Sequence, residues 1–224
     1  MFERFKERSH ELERLDTGDY TTQEYARWER EMRWIHGIFG EQRALKRTML
    51  ANGGSDRISI LDVGAGTGGM LTFVQSQLDG RSGTLVGVEV DAAGAASIKR
   101  SGNTAVLGDA LSLPFADDTF DYAYCTLVLH HLEDEDAALL LTEMARVSRN
   151  AIYAVDLNRE PLAYYTYKAL GSILLQRLTC DDGALSILRS RTPDELERVA
   201  LKAGLKSATV TRSRFNRLVL SGSK

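Results

Sequence analysis

The chain has 224 residues, 43% hydrophobic and 26% charged, with 19 Gly, 3 Pro and 2 Cys, which excludes disordered, collagenous and disulfide-stapled classes. Its 28 Lys+Arg against 31 Asp+Glu leave a net charge of −3, which argues against a nucleic-acid binder held mainly through phosphate contacts. No apolar run approaches the ~18 residues of a membrane span, Met1-Phe2-Glu3-Arg4-Phe5-Lys6 lacks the apolar core of a secretory signal, and Cys125 and Cys180 read as buried or incidental thiols, so cytoplasm is the expected compartment.

Residues 1–55 read as a charge-dense helical arm. Thr21 and Glu24 stand at capping-box spacing, and Tyr25, Trp28, Met32, Ile35 and Phe39 follow at helical intervals, predicting a helix with one aromatic, apolar face. That face is expected to dock on the core. A glycine-rich break at 51–55 marks the start of a second unit, residues 56–224. There, β-branched runs at 58–63, 84–90, 104–108, 120–125 and 151–157 read as strands, and 68–78, 92–100 and 135–147 as helices. Such alternation predicts an α/β, doubly wound, Rossmann-like parallel sheet with its ligand beyond the carboxyl ends of the strands. The apolar, Tyr-rich segment 160–178 interrupts it as an insert, reaching to about 190. Thr192-Pro193-Asp194-Glu195 then caps another helix, which Gly204 closes. Runs at 205–211 and 215–220, separated only by Arg212-Ser213-Arg214, permit a hairpin but no crossover helix, so the sheet is expected to end antiparallel.

The main chemical signal is Ile60-Leu61-Asp62-Val63-Gly64-Ala65-Gly66-Thr67-Gly68-Gly69, a strand entering a glycine turn that opens a helix. Gly64, Gly66 and Gly69 also satisfy a dinucleotide pattern, with Glu89 placed to bind a ribose hydroxyl, so a nicotinamide enzyme is one reading. Asp62 favours another: a carboxylate just before the loop repels a pyrophosphate and attracts a cation. S-adenosylmethionine carries two positive centres, a sulfonium and an ammonium. Glu89 then serves its ribose hydroxyls and Asp109, closing the third strand, its adenine amino group. Asp109 is equally suited to cap the following segment.

Asp62-Val63-Gly64-Ala65-Gly66-Thr67-Gly68, Gly87-Val88-Glu89, Gly108-Asp109-Ala110, Leu113-Pro114-Phe115 and the run ending His130-His131-Leu132 resemble class I S-adenosylmethionine-dependent methyltransferases of the type 11-like group. The resemblance implies a seven-stranded sheet in order 3-2-1-4-5-7-6 with the last strand antiparallel. It also implies S-adenosylmethionine as cofactor, contacted by Asp62, Gly64, Ala65, Gly66, Thr67, Gly68, Glu89, Val90, Asp109, Ala110, Leu111 and Cys125. Residues 14–20, with 161–165 and 182–186, resemble a bacterial subgroup of polyketide-type secondary metabolism.

Methyl transfer from a sulfonium is an in-line displacement that needs alignment and, for an oxygen acceptor, a base, but no metal. His130 and His131 follow the fourth strand on the ligand side, and Asp156 ends the neighbouring fifth strand. A His–Asp pair is therefore expected, with His131 preferred as the base and either His also suited to a purely structural role. The arm as lid and the insert as wall predict an apolar, aromatic pocket for a small aromatic or polyketide-like acceptor, O-methylated. The first 50 residues hold 10 acidic and 10 basic side chains and make no groove for nucleic acid. Tyr20 and Trp34 are candidates to approach the reacting groups. Tyr164 and Lys168 stand at the Tyr-x-x-x-Lys spacing of short-chain dehydrogenases, whose glycine pattern is absent here. A non-catalytic interaction module, using the apolar insert as a partner or membrane-surface face, is the alternative from a different class.

Overall fold

The computed structural model describes residues 3–38, 40–51, 57–78 and 82–224. The predicted break at 51–55 lies outside them except for residue 51, as does Phe39.

Seven strands, β1 Arg57–Val63, β2 Ser82–Glu89, β3 Thr104–Leu107, β4 Phe120–Thr126, β5 Ser148–Leu157, β6 Thr209–Ser213 and β7 Arg217–Gly222, form one sheet in the order β3-β2-β1-β4-β5-β7-β6. β1 to β5 pair in parallel, and β7 runs antiparallel to β5 and β6. The expected order and antiparallel close are both present.

β1 is buried almost throughout because helices cover both faces of the sheet, and its alternating side chains feed two cores. Leu61 and Val63 join β4 Cys125 and the helices α6 Asp134–Val147 and α9 Pro193–Lys202 on one face. Ile60 joins Tyr124 and the helices α3 Glu41–Arg47, α4 Gly69–Ser76 and α5 Ala92–Arg100 on the other. Asp62 shares that second face, in register with Gly87 of β2 and Tyr124 of β4.

The final hairpin turns later than its sequence indicates. Leu205, read as strand, is buried beneath the C-terminus of α9, to which its amide donates (to Ala200 O, 3.3 Å). The reversal falls on Phe215 and Asn216, φ 58° and 60°, rather than on Arg212-Ser213-Arg214. Two consecutive left-handed residues are what a tight hairpin turn requires, and Asn tolerates that region.

The insert is two helices, α7 Pro161–Leu174 and α8 Arg177–Arg189. The arm comprises a short helix α1 Arg14–Thr17 and the long α2 Thr22–Ile38, whose predicted capping box is present: Thr21 N donates to Glu24 Oε2 at 2.8 Å and Glu24 N to Thr21 Oγ1 at 3.2 Å. Residues 3–13 lie across α8 as a strap. Ser9 N donates to Leu188 O, Arg8 Nε to Arg189 O, and Phe5 packs edge-on to Tyr164 with ring centroids 5.5 Å apart.

Candidate active site

The glycine turn after β1 has three left-handed residues, Gly64, Gly66 and Gly68, at φ 72°, 54° and 83°. A Cβ on Gly64 would sit 2.7 Å from Val128 Cγ2, whereas one on Gly66 would meet nothing within 4 Å. Gly64 is therefore closed against the chain after β4, and Gly66 stands open. Glu89 reaches across this turn, its Oε2 accepting from Gly66 N at 2.8 Å and its Oε1 from Val90 N and Asp91 N. Asp109 Oδ1 accepts from Leu111 N at 2.9 Å, the local turn role weighed for it. Val90 is exposed, and Ala110 and Leu111 are half-buried, beside these two carboxylates.

Asp62 is fully buried, its Oδ2 accepting from Tyr124 OH at 2.8 Å and its Oδ1 without any donor. Burial pushes its carboxyl up to about 7; the Tyr124 hydroxyl opposes this and the Glu89 charge adds to it. A buried acceptor with no donor is costly, and an ammonium is the kind of group that satisfies it. Cys125 differs from the rest of the expected cofactor set: its side chain is in the core with Leu61 and Val63, and burial pushes its thiol well up.

β4 leads into a 3₁₀ turn, Leu129–His131, which begins beside Val128 and so sits against the glycine turn. The Asp156 carboxylate engages His130 and not the preferred His131. Asp156 Oδ1 lies 2.7 Å from His130 Nδ1, and its Oδ2 accepts from the His130 amide at 3.1 Å. The reason is topological: β4 and β5 are hydrogen-bonded neighbours, and the first His after β4 turns back over the end of β5. Burial would raise Asp156, but the charge and hydrogen bond of His130 hold it below the usual carboxylate range. His130 is buried between Asp156 and Glu13, whose Oε1 lies 3.9 Å from its Nε2.

His131 lies against His130 with ring centroids 4.1 Å apart and planes tilted by 38°, and it keeps its side chain 34% exposed. Its carboxylate partner is Asp16 from the arm, Oδ1 3.1 Å from Nδ1. Despite a raising contribution from burial, hydrogen bonds from His131 and Arg189 hold Asp16 well below the usual carboxylate range. The Arg189 guanidinium pairs with Asp16, donates to His131 O at 3.1 Å and lies 3.7 Å from Glu13. Burial pushes Glu13 up to about 7, against the His131 charge and a 2.8 Å hydrogen bond from Ser186 Oγ.

Glu13, Asp16, Ser186 and Arg189 escaped the sequence reading. The one trace of them was the joint appearance of segments 14–20 and 182–186, which meet here: Asp182 accepts from Arg14 N and Leu15 N, each at 3.1 Å. Donor atoms of Glu13, His130 and His131 all lie within 4.8 Å of one another, a set one cation could span. Arg189 already brings positive charge to that position.

The aromatic candidates contact other side chains. Tyr20 stacks on Tyr25, which stacks in turn on Trp28. Burial and the charges of Glu29, Tyr20, Asp91 and Glu89 raise the Tyr25 phenol, so α2 runs close to Glu89. Trp34 is half exposed beside Leu174, and Tyr164 is packed on Phe5 and held between Arg4 and Lys168 rather than poised as a proton donor.

A methyltransferase-domain family profile matches residues 60–151. A demethylmenaquinone methyltransferase of Roseiflexus sp. (strain RS-1) is 30% identical over 166 residues, covering 66% of this chain and 68% of that relative. One from Shouchella clausii (strain KSM-K16) is 28% identical, covering 68% and 72%. Among solved structures, the magnesium protoporphyrin IX methyltransferase of Synechocystis PCC 6803 with bound S-adenosylhomocysteine superposes with TM-score 0.64 at 14% identity, over 94% of this chain and 99% of that one. An S-adenosylmethionine-dependent methyltransferase of Aquifex aeolicus gives 0.60 at 15% identity, over 84% and 95%.

Proposed function

The chain belongs to the class I S-adenosylmethionine-dependent methyltransferases, and from that premise we propose that it methylates a hydroxyl of a small, apolar, aromatic or polyketide-like acceptor with His131 as general base. The observation that carries this reading is the Asp16–His131 pair, partly exposed on a turn that packs against the glycine loop.

The cofactor half fits S-adenosylmethionine. Asp62 offers a buried carboxylate oxygen lacking a donor, a Cβ at Gly66 would meet nothing, and Glu89 and Asp109 stand at the end of β2 and two residues beyond β3. Bound there, the cofactor supplies an electrophilic methyl group. Asp62 and the loop amides would hold its amino-acid end, Glu89 its ribose, and Asp109 with Val90, Ala110 and Leu111 its base.

The protein's own chemistry is then the removal of one proton. With Nδ1 of His131 held by Asp16, Nε2 is the nitrogen that takes the acceptor's hydroxyl proton. Asp16 stays ionised and stabilises the imidazolium, while Arg189 keeps Asp16 in place. His130, enclosed by Asp156 and Glu13, positions the turn. We read residues 3–38 as the lid over this pocket and α7–α8 as its wall, since the arm supplies Glu13 and Asp16, and α8 supplies Ser186 and Arg189. The relatives are named for a small-molecule acceptor, and balanced charge in the arm speaks against nucleic acid. Two free thiols, Cys125 and Cys180, fit a cytoplasmic setting.

Incubation with S-adenosylmethionine and a panel of hydroxylated aromatic acceptors, read by product mass, tests the reading. O-methylated product lost in His131→Ala is expected. Methylation confined to protein or RNA, or undiminished in His131→Ala, overturns it.

A further inference from the structure

Four consecutive carbonyls run along the turn that carries His131, and a guanidinium donates to each of them. Arg191 Nη1 donates to Leu129 O at 2.6 Å and its Nη2 to Leu132 O at 2.9 Å. Arg189 Nη2 donates to His131 O at 3.1 Å. Both of these side chains are buried and come from the end of α8 and its link to α9. The carbonyl of His130 is served from a different part of the chain: Arg8 Nη2 donates to it at 3.2 Å and to Leu132 O at 2.9 Å. Arg8 belongs to the strap, so one side chain ties the N-terminal segment to the histidine turn.

The place of Arg8 is fixed by its neighbours. Arg159 Nε donates to Phe5 O at 3.0 Å, and Ser9 N donates to Leu188 O at 3.0 Å, so the strap is pinned on both sides of it. The Arg8 side chain is itself only 10% exposed. Its Nε donates to Arg189 O at 2.7 Å and its Nη1 to Asp134 Oδ1 at 3.3 Å, the oxygen that Arg191 Nη2 also reaches at 2.7 Å. The planar fork thus spreads over acceptors in three directions, which the single ammonium of a lysine does not span.

We propose that Arg8 is a positioning residue for methyl transfer, acting on His131 through the backbone. The proposal rests on the reading of His131 as base. The carbonyl of His130 belongs to the peptide group that enters His131, and the carbonyl of His131 to the one that leaves it. Arg8 holds the first and Arg189 the second, which sets the direction in which the His131 ring leaves the turn. Removing Arg8 leaves Leu129, His131 and Leu132 still capped by Arg191 and Arg189, so the turn keeps its fold. What it loses is the bond that orients the peptide between the two histidines, and with it the alignment of His131 with Asp16 and the acceptor.

The test uses the full chain and two measurements. Nitrogen NMR of the imidazoles needs no acceptor: in wild type Asp16 should keep the neutral His131 ring protonated on Nδ1, whereas Arg8→Ala and Arg8→Lys should both shift it toward the Nε2–H tautomer. With an acceptor that is turned over, both variants should lower kcat about 10- to 100-fold with S-adenosylhomocysteine affinity unchanged. Adding Arg8→Ala to His131→Ala should lower the residual rate no further. Should Arg8→Ala fail to fold, Arg8→Lys, which keeps the stem and the charge, carries the same readouts. An unchanged tautomer, wild-type kcat in either variant, a loss of cofactor affinity equal to the loss of kcat, or a rate loss repeated in full in the His131→Ala background overturns the proposal and leaves the base reading intact. Undiminished turnover in His131→Ala overturns both.

Discussion

Replacing Asp62 by Asn should move stability and cofactor affinity in opposite directions. In the unliganded protein, burial pushes this carboxyl from 3.8 to about 7, opposed by the Tyr124 hydroxyl and reinforced by the Glu89 charge. A carboxyl raised on folding gives its stabilisation in full below the unfolded value and loses it as the pH rises through the folded one. Burying Asp62 therefore costs under ~1 kcal/mol at pH 4 and about 4 kcal/mol by pH 8, from roughly 1.4 kcal/mol per unit. Asn has no such titration. The penalty for its extra N–H groups, about 1–3 kcal/mol, does not vary with pH and cancels when differences are compared. The stability of Asp62→Asn minus that of wild type should thus climb by about 3–4 kcal/mol between pH 4 and 8, measured by urea unfolding at each pH. Affinity for S-adenosylhomocysteine, which keeps the ammonium, should fall about 10- to 150-fold through loss of a charged hydrogen bond worth ~1.5–3 kcal/mol. Wild-type binding near pH 6 should release a proton, visible by calorimetry in buffers of different ionisation enthalpy. A stability difference flat with pH, or an affinity within threefold of wild type, would refute the role given to this carboxylate.

The two histidines should respond differently. His131→Ala is expected to lower kcat by about 10²–10⁴ with S-adenosylhomocysteine affinity unchanged, whereas His130→Ala leaves Asp156 buried without its partner and should cost stability of about 3–5 kcal/mol in a thermal or urea melt. Gly64→Ala should lose the fold of the loop, since its Cβ would meet Val128 Cγ2 at 2.7 Å in a left-handed conformation. Gly66→Ala should fold at a cost of about 1–2 kcal/mol, yet bind the cofactor weakly if its methyl takes the open space where the cofactor is proposed to lie; titration calorimetry on both variants checks the contrast. Arg217→Ala strands the buried Glu41 carboxylate, now 2.7 Å from Arg217 Nε, and should destabilise by about 3–5 kcal/mol without altering the cofactor site.

Most of the sheet was legible because it is written locally. Ile60, Leu61 and Val63 must be buried on both faces, Gly64, Gly66 and Gly68 supply the left-handed turn, and Thr192 with Glu195 announces its helix within four residues. Asp62, Glu89 and Asp109 share this property, since they lie within, at the end of and two residues beyond strands whose period is visible on its own. Cys125 was misplaced because strand alternation decides its face: it lies one residue from Tyr124, the partner of Asp62, and so points into the opposite core.

The pairs around His131 obey different physics. Asp16 reaches His131 across 115 positions and Arg189 across 173, joined by charge rather than by periodicity. No hydrophobic pattern encodes such pairs, and in sequence the arm's acids are indistinguishable from solvated surface charge. What sets Glu13 apart is burial: it is only 3% exposed and pushed up to about 7. The charge-balanced arm uses its charges in two ways. Its acids, at Glu13 and Asp16, turn inward to the histidines. Other charges of the arm pair with one another, Lys6 with Glu3 at 2.8 Å, Arg14 with Glu24 at 3.3 Å and Arg27 with Glu31 at 2.8 Å, which is how equal numbers of both signs coexist in one segment.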